Sequence, residues 1–386
     1  MRKLGLIAAA SLFALPAFST ANAADDNGRV YYKEGTRLEF EDFDMKINLQ
    51  VQSRFTYEDN DASGRNDVGL DGASDVTSFD LRRVRVNFTG NLLKKQFSYQ
   101  VQNDFRSSNG GGDMKDAWLQ WNSDEAKLRF GQTKIPFSRQ ELTSSSNLQF
   151  IDRSIVNDVF APSRQIGALL HGPVGDGGTY YVGAFNGESE GEGRNKPGND
   201  NNLLLVAAAN MNIGDYGSRG MEGDLRAKND EFGATVGVST LYGQGTGDVL
   251  DTETPDDFDR FDLNVDLGAR VAGFSAQSEF YYSTIDLDNV DGDAGEADLF
   301  GFYVQAGYML DKEWEVAVRY AYLLPDEDIS VVDDENEFNA VVNYYLNGHN
   351  LKLQTGVTFD QTNLNPDVAD GDFTDFRFET QLAGYF

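Results

Sequence analysis

Arginine side chains alternate with apolar ones in the segment from Asp80 to Phe105, DLRRVRVNFTGNLLKKQFSYQVQNDF. Arg83 and Arg85 share one face of an extended chain and Val84 lies on the other, because successive side chains of a strand point to opposite sides. Guanidinium groups on a wet face can replace part of the hydration shell of an anion. The segment therefore predicts a wall that is apolar on one face and able to bind anions on the other.

Further basic residues extend this candidate face. The anion-binding candidates are Arg54, Arg83, Arg85, Lys127 and Arg129 on strands, and Lys134, Arg139, Arg153 and Arg164 on or beside the segment 135–163. Up to Leu170 the chain has 21 Lys and Arg and 22 Asp and Glu, whereas beyond it there are 11 and 41. Opposed basic and acidic walls would set up a transverse field, which orients dipolar solutes without requiring a strong ion preference.

The alternative for these cations is structural pairing with carboxylates that hold the segment 135–163 in place. If the hairpin is symmetric about residues 91–95, Arg83 lies opposite Asp104 and Arg85 lies opposite Gln102. Pairing of this kind would neutralise a wall residue, so both interpretations stay open for each wall cation.

The composition argues against several other kinds of site. Cysteine is absent, so neither a disulfide nor a thiolate metal site can form. His171 and His349 are the only histidines, and no nucleophile elbow or paired-carboxylate motif is present. The formal net charge of -31 argues against a nucleic-acid partner. We therefore expect neither an enzyme nor a cofactor.

Strands are the elements that must position the basic face. Apolar side chains at alternate positions from Ile47 to Tyr57, and again from Phe261 to Val271, oppose polar or charged ones. A soluble barrel has a dry interior, whereas a charged inner face with an apolar outer face is typical of a membrane barrel around water. The two-residue period therefore predicts a transmembrane β-barrel.

The connections between strands predict their number. Short turns, such as 91–95, 122–125, 272–273, 311–313 and 347–349, alternate with long polar segments. The long segments are 58–78, 106–114, 135–163, 187–201, 243–258, 286–297, 325–335 and 362–373. Tight inner turns and eight long outer loops predict an all-β antiparallel barrel of 16 strands, or 18 if the inner connection 214–230 contains two more.

The N-terminus has the form of a secretory signal peptide over residues 1–23, with Arg2 and Lys3, an apolar run, and small residues before the cleavage site. We expect residues 24–43 to form a periplasmic segment and residues 44–386 to form a single barrel. The last strand ends on Phe386 and is similar to the signal read by the outer-membrane assembly machinery. These features predict a location in the outer membrane of a Gram-negative bacterium.

Six segments between residues 44 and 187 carry a resemblance to a known family, namely FDMKINLQVQSRFTYE, FDLRRVRVNFTGNLLKKQFSYQVQNDF, DAWLQW, LRFGQTKIPFSRQELTSSSNLQFIDRS, FAPSRQIGALLHG and YYVGAFNG. With these segments the chain resembles the phosphate-selective porin O and P family. The resemblance implies a sixteen-stranded trimeric channel whose third outer loop, here about 135–163, folds into the pore and narrows it. It also implies passive diffusion of small hydrophilic solutes, with anions such as phosphate as the expected substrates.

Several alternatives stay open. Asp262, Asp266 and Glu279 are expected to face the same interior as the arginines, which fits a general or weakly cation-preferring porin. A structural or adhesive barrel would have no need of a constriction. Acidic outer segments such as DLDNVDGDAGEAD either bind Ca²⁺, bridging loops or anionic lipopolysaccharide, or are simply solvated.

Overall fold

The computed structural model describes residues 28–61, 74–106, 112–186, 203–226, 230–247, 256–290, 293–326, 330, 332–366 and 371–386. The signal peptide predicted over residues 1–23 lies outside these ranges, as do parts of several outer loops. In the described ranges, neither of the helices has the length and apolar character needed to cross a membrane.

Sixteen antiparallel strands form a closed barrel, which confirms the predicted fold class. They are β3 (Phe43–Asp59), β4 (Val76–Leu92), β5 (Phe97–Asp104), β6 (Asp113–Asn122), β7 (Lys127–Lys134), β8 (Arg164–Val174), β9 (Gly178–Phe185), β10 (Leu204–Gly214), β11 (Gly233–Gly247), β12 (Asp256–Val271), β13 (Phe274–Val290), β14 (Asp293–Met309), β15 (Trp314–Leu324), β16 (Val332–Tyr345), β17 (Leu351–Leu364) and β18 (Asp372–Tyr385). The barrel closes where β18 pairs with β3, from Phe376 opposite Asp59 to Tyr385 opposite Gln50.

Two further strands, β1 (Arg29–Tyr32) and β2 (Thr36–Glu39), form an N-terminal hairpin. β2 pairs with the first residues of β3, from Asp44 to Ile47, directly beyond the stretch that β18 covers. The additional pair of strands therefore lies at the N-terminus. The described part of 214–230 contains no strand beyond the last residue of β10, so that suggested position was wrong.

The two faces of the wall have the polarity that the sequence predicted. On β12, Asp262 and Asn264 are 1% and 0% exposed, whereas Phe261 and Leu267 are 40% and 45% exposed. Polar side chains therefore point into the barrel and large apolar ones point out of it, which is the arrangement that a lipid environment requires.

Two of the predicted outer loops are much shorter in the structure. β13 extends to Val290 and β14 begins at Asp293, so most of the predicted loop 286–297 is paired strand. The predicted loop 243–258 is shortened in the same way by β11 and β12. Strands that project beyond the apolar band are surrounded by water, and acidic residues there do not show the alternation used to find strands.

The hairpin formed by β4 and β5 is also offset from the predicted register. The pairing of Arg83 with Asp104 and of Arg85 with Gln102 was wrong by two residues, because the tight turn lies further along the chain and contains three consecutive residues with positive φ. Arg85 lies opposite Asp104, and its Nε donates to the Asp104 carboxylate at 2.7 Å. Structural pairing therefore applies to Arg85 at this position.

The segment 135–163 connects β7 to β8 and lies inside the barrel. It contains two short helices, α1 (Arg139–Leu142) and α2 (Ile155–Phe160). Ile135, Phe137, Val156 and Phe160 form an apolar cluster with inward-facing residues of the wall, among them Tyr281 and Tyr303. One side of the segment is thus fixed to the wall by apolar packing.

A matched pair of lysine substitutions tests the polarity of the wall. Val318, on the outward face of β15, is 49% exposed, and Thr358, on the inward face of β17, is 7% exposed. We expect Val318→Lys to lower the free energy of unfolding in lipid vesicles by about 2–4 kcal/mol, because it places a charge against hydrocarbon. Thr358→Lys should change it by less than about 1 kcal/mol, since Thr358 lines an internal cavity that also holds the carboxylates of Glu337 and Asp360. Urea titration of vesicle-folded protein measures both values, and equal losses would contradict the assigned faces.

Candidate pore site

The N-terminus of α1 is anchored by a buried carboxylate on the opposite wall. Glu279 of β13 accepts hydrogen bonds from the backbone N–H groups of Arg139 and Gln140 at 2.9 and 2.7 Å, and from the hydroxyl of Tyr303 at 2.8 Å. Ser138 caps the same helix by accepting from the Glu141 N–H at 3.0 Å. These bonds hold the segment across the interior from β7 to β13.

A cavity of about 600 Å³ lies between the segment 135–163 and the wall formed by β4 to β8; we call it the basic cavity. Among the residues that the structure describes, eight cationic side chains line it against four carboxylates. The cations are Arg82, Arg83, Arg85, Arg106, Lys115, Lys134, Arg153 and Arg164. The basic cavity therefore has a surplus of positive charge in a protein that is acidic as a whole.

A second cavity, of about 380 Å³, lies between the same segment and the wall formed by β15 to β18 and β3; we call it the acidic cavity. Eight carboxylates line it against four arginines in the described part of the chain. The carboxylates belong to Glu58, Asp152, Asp158, Glu335, Glu337, Asp360, Asp375 and Glu379. Arg82, Arg153 and Asp158 line both cavities, so the two are neighbours and carry opposite surpluses.

Asp152, on the segment 135–163, lines the acidic cavity and forms ion pairs with three arginines of the wall. Its carboxylate lies 2.7 Å from Arg54, 3.3 Å from Arg82 and 3.5 Å from Arg83. Burial alone would raise the pKa of Asp152, but the three guanidinium groups outweigh that effect and hold its pKa at about 2. Asp152 is therefore ionised at neutral pH and neutralises part of the arginine charge.

Glu141 has the same role on the other side of the segment. Its carboxylate lies 3.1 Å from Arg153 Nε and 3.5 Å from Lys134 Nζ. Burial raises the pKa of Glu141, and the neighbouring Lys134 and Arg153 lower it more strongly, to about 2. Arg153 also donates to the backbone carbonyls of Gln140 and Thr143, at 3.0 Å each, and so holds the two halves of the segment together.

Five of the nine cations selected from the sequence line the basic cavity, namely Arg83, Arg85, Lys134, Arg153 and Arg164. Each of the five has a carboxylate partner, as Arg164 has in Asp116 at 3.2 Å. Arg54 lies in the adjoining network, bonded to Asp80, Asp152 and Glu379. A cation can therefore be paired with a carboxylate and still line the basic cavity. The basic cavity keeps a surplus of positive charge after these ion pairs have formed.

The other three candidates lie outside both cavities. Arg139 is 3% exposed and donates to the backbone carbonyl of Leu267 at 3.2 Å and to the hydroxyl of Tyr216. Arg129 lies nearer the inner end of β7, where its guanidinium stacks 4.0 Å above the ring of Trp118. Lys127 is exposed at the first residue of the same strand. The structure thus places Arg139 among the contacts that anchor the segment.

The three acids that the sequence placed inside the barrel face inward, and Asp266 and Glu279 bind chain segments, whereas Asp262 pairs with Arg260 of its own strand at 2.8 Å. Asp266 forms a 2.6 Å ion pair with Arg219, which belongs to the long inner connection after β10. That connection also folds into the barrel, where the Glu222 carboxylate accepts from the backbone N–H of Gln149 at 2.7 Å. The inner connection therefore contacts the segment 135–163 from the side of the inner turns and helps to hold it in place.

His349, in an inner turn, contributes to the same contact. Burial and the nearby ammonium of Lys352 lower the pKa of His349 to about 3, so the imidazole is neutral. Its Nε2 donates to the Glu222 carbonyl at 3.0 Å, and its Nδ1 accepts from Lys352 at 3.3 Å. These are structural bonds, and within the described residues no group of three or more His, Asp or Glu side chains is arranged to hold a metal ion.

Sequence reasoning missed Arg82, which lines both cavities. The register shifts between Gln52, opposite Arg83, and Ser53, opposite Leu81, so Arg82 is the additional residue of a β-bulge. A bulge turns two adjacent side chains to one face, and strict alternation cannot reveal it. The adjacent pair RR within the alternating segment was the available signal.

Comparison with known proteins agrees with this architecture. The family model described as phosphate-selective porin O and P matches residues 49–381. An uncharacterized protein of Aquifex aeolicus (strain VF5) is 25% identical over 82% of each chain. The outer membrane channel DcaP of Acinetobacter baumannii superposes with a TM-score of 0.61 and 15% identity, covering 89% of this chain and 98% of that one. The trimer form of Vibrio cholerae OmpT superposes with a TM-score of 0.57 and 11% identity, covering 89% of this chain and 99% of that one.

The match covers most of the chain and all sixteen barrel strands lie wholly or largely within it. Fold and family together place the protein in the outer membrane of a Gram-negative bacterium, where it forms a porin channel. The chain belongs to the phosphate-selective porin O and P family.

Proposed function

We propose that the protein allows passive diffusion of small hydrophilic solutes, that the segment 135–163 sets the narrowest part of the passage, and that anions cross along the basic cavity. The observation that carries this proposal is the cationic surplus of that cavity, eight cations against four carboxylates. An anion that loses hydration water there is compensated by fixed guanidinium groups. Phosphate, which accepts bidentate bonds from arginine, is the expected substrate.

The pairing of each cation limits how tightly an anion is held. Arg85 with Asp104 and Arg153 with Glu141 are already in contact at 2.7 and 3.1 Å. A permeant ion must bind strongly enough to enter and weakly enough to leave, and partly neutralised arginines meet both requirements. Passage of this kind requires neither catalysis nor a cofactor.

The acidic cavity favours a second candidate function, a general porin with weak or no ion preference. Its surplus of carboxylates, eight against four arginines, is equal and opposite to that of the basic cavity. Cations would then cross on one side and anions on the other. An adhesive barrel has no use for either cavity.

We further propose that the protein is a homotrimer and that the subunits contact one another along the part of the wall with the shortest strands, β5 to β9. β5, β7 and β9 each have 8 residues, whereas β13 and β14 have 17. At about 3.3 Å per residue and a tilt of about 45°, 8 residues rise about 19 Å, which is less than the apolar band of about 25 Å. Contact between subunits along β5 to β9 would remove this mismatch from lipid.

The outer surface and the C-terminus supply the remaining partners. Lipid and lipopolysaccharide are expected on the outward faces of the long strands. The backbone of Phe386 exchanges hydrogen bonds with Leu49 at 2.7 and 3.0 Å, and its ring is 40% exposed. We propose that this terminal strand is the signal bound by the assembly machinery before the barrel closes.

Removing cations from the basic cavity tests its role in anion selectivity. We expect Arg82→Gln combined with Arg85→Gln to lower the permeability ratio of chloride to potassium by about threefold or more, since two of the eight cations are removed. Glu337→Gln in the acidic cavity should raise the ratio. Reversal potentials in asymmetric KCl measure it, with competition by phosphate as a second readout. Lys94→Gln, in an exposed inner turn, is the control, and unaltered ratios in the double variant would contradict the assignment.

Asp152 should stabilise the folded protein in a pH-dependent way. Its pKa is lowered from 3.8 to about 2, so its ion pairs contribute fully above about pH 4 and are lost as the pH falls through 2. We expect Asp152→Asn to be less stable than the wild type by about 2 kcal/mol at neutral pH. Melting temperatures from pH 7 to pH 2 measure the difference. A difference that persists undiminished at pH 2 would show that the ion pairs are not its cause.

A substitution on the short strands β5 to β9 tests the proposed trimer. Val182, on the outward face of β9, is 53% exposed in the isolated subunit. We expect native mass spectrometry in detergent to give the mass of three chains for the wild type and a single chain for Val182→Asn. Val318→Asn, on a longer strand, should leave three chains. A monomeric wild type, or the same effect from both variants, would contradict the proposed interface.

A further inference from the structure

The two cavities meet at residues that belong to both. Arg82 lies 3.3 Å from Asp152, and Arg82 and Arg153 line the basic cavity as well as the acidic one. The change of sign therefore takes place within the width of one side chain. A solute at this boundary has a cationic surplus on one side and an anionic surplus on the other.

The acidic side offers an acceptor that the protein itself does not use. Within the described residues, Oδ1 of Asp360 is a buried carboxylate oxygen without a hydrogen-bond partner. Its other oxygen lies 3.8 Å from Arg377, beyond hydrogen-bonding distance, and the carboxylate of Glu337 lines the same cavity. A buried acceptor of this kind is stabilised when a donor on a solute reaches it.

The basic side offers the complementary groups. Arg82 faces inward beside Arg83 because of the β-bulge, and both contact one carboxylate, that of Asp152. Asp152 is also shared with Arg54, so one carboxylate serves three guanidinium groups. The side chain of Arg82 is 31% exposed and presents N–H donors to the cavity, which suit the carboxylate of a solute.

We propose that the channel favours small zwitterions, solutes that carry a carboxylate and an ammonium group, over uncharged solutes of the same size. The inference rests on the proposed function as a diffusion channel and names its substrate class. The solute carboxylate faces Arg82, which lines both cavities, and its ammonium group faces the carboxylates of the acidic cavity, to which Asp360 belongs. A simple ion gains only in the cavity of opposite charge, whereas a zwitterion at the boundary gains from both cavities.

Glycine and its uncharged isomer glycolamide test this directly, because they contain the same atoms and differ mainly in charge separation. We expect liposomes that contain the purified protein to swell at least about threefold faster in isosmotic glycine than in glycolamide at neutral pH, which corresponds to about 0.65 kcal/mol. Asp360→Asn, which keeps the size of the side chain, should bring the two rates together. Lys94→Gln should leave the difference unchanged.

The outcomes separate the two proposals. Equal rates, or faster glycolamide, in a preparation that conducts ions in KCl would overturn zwitterion preference and leave the diffusion channel standing. A glycine advantage that survives Asp360→Asn would overturn the role of that carboxylate. Liposomes that swell in neither solute, with no ion conductance, would overturn the diffusion channel itself.

Discussion

The rest of the structure depends on one constraint, that a wall crossing lipid must pair all its backbone polar groups within the protein. A closed antiparallel sheet meets this constraint, and β18 completes it by pairing with β3. Closure then assigns alternate side chains to lipid and to the interior. Because the lipid side takes the large apolar residues, the interior is filled with polar ones, among them Glu279 and Asn264, each 0% exposed.

A polar interior determines how the segment between β7 and β8 is held. Apolar packing fixes it at Ile135, Phe137 and α2, and again at Phe150, whereas carboxylates, amides and arginines of the wall fix the rest. The charges that anchor the segment are therefore the same kind of charges that face the solute. Chain order separates their signs, because the basic cavity is built by β4 to β8 and the acidic one by β15 to β18 with β3.

Much of this could be predicted from the sequence, because a strand in lipid has an apolar outer face and a period of two. The faces of β3 and β12, the number of barrel strands and the limits of the segment 135–163 follow from that pattern. It could not show the bulge at Arg82, which breaks the period. Nor could it show the ends of β13 and β14, which lie beyond lipid, or the inward fold of the connection after β10, since contacts between distant segments decide it.

Cysteine scanning of β17 tests most directly whether the inner face lines water, and the chain is suited to it because it contains no native cysteine. Single cysteines at Val357, Thr358, Phe359 and Asp360 would be exposed in lipid vesicles to a charged, membrane-impermeant thiol reagent. We expect reaction at Thr358 and Asp360, and protection at Val357 and Phe359. Reaction without alternation, or at the odd positions alone, would contradict a water-filled barrel with this polarity.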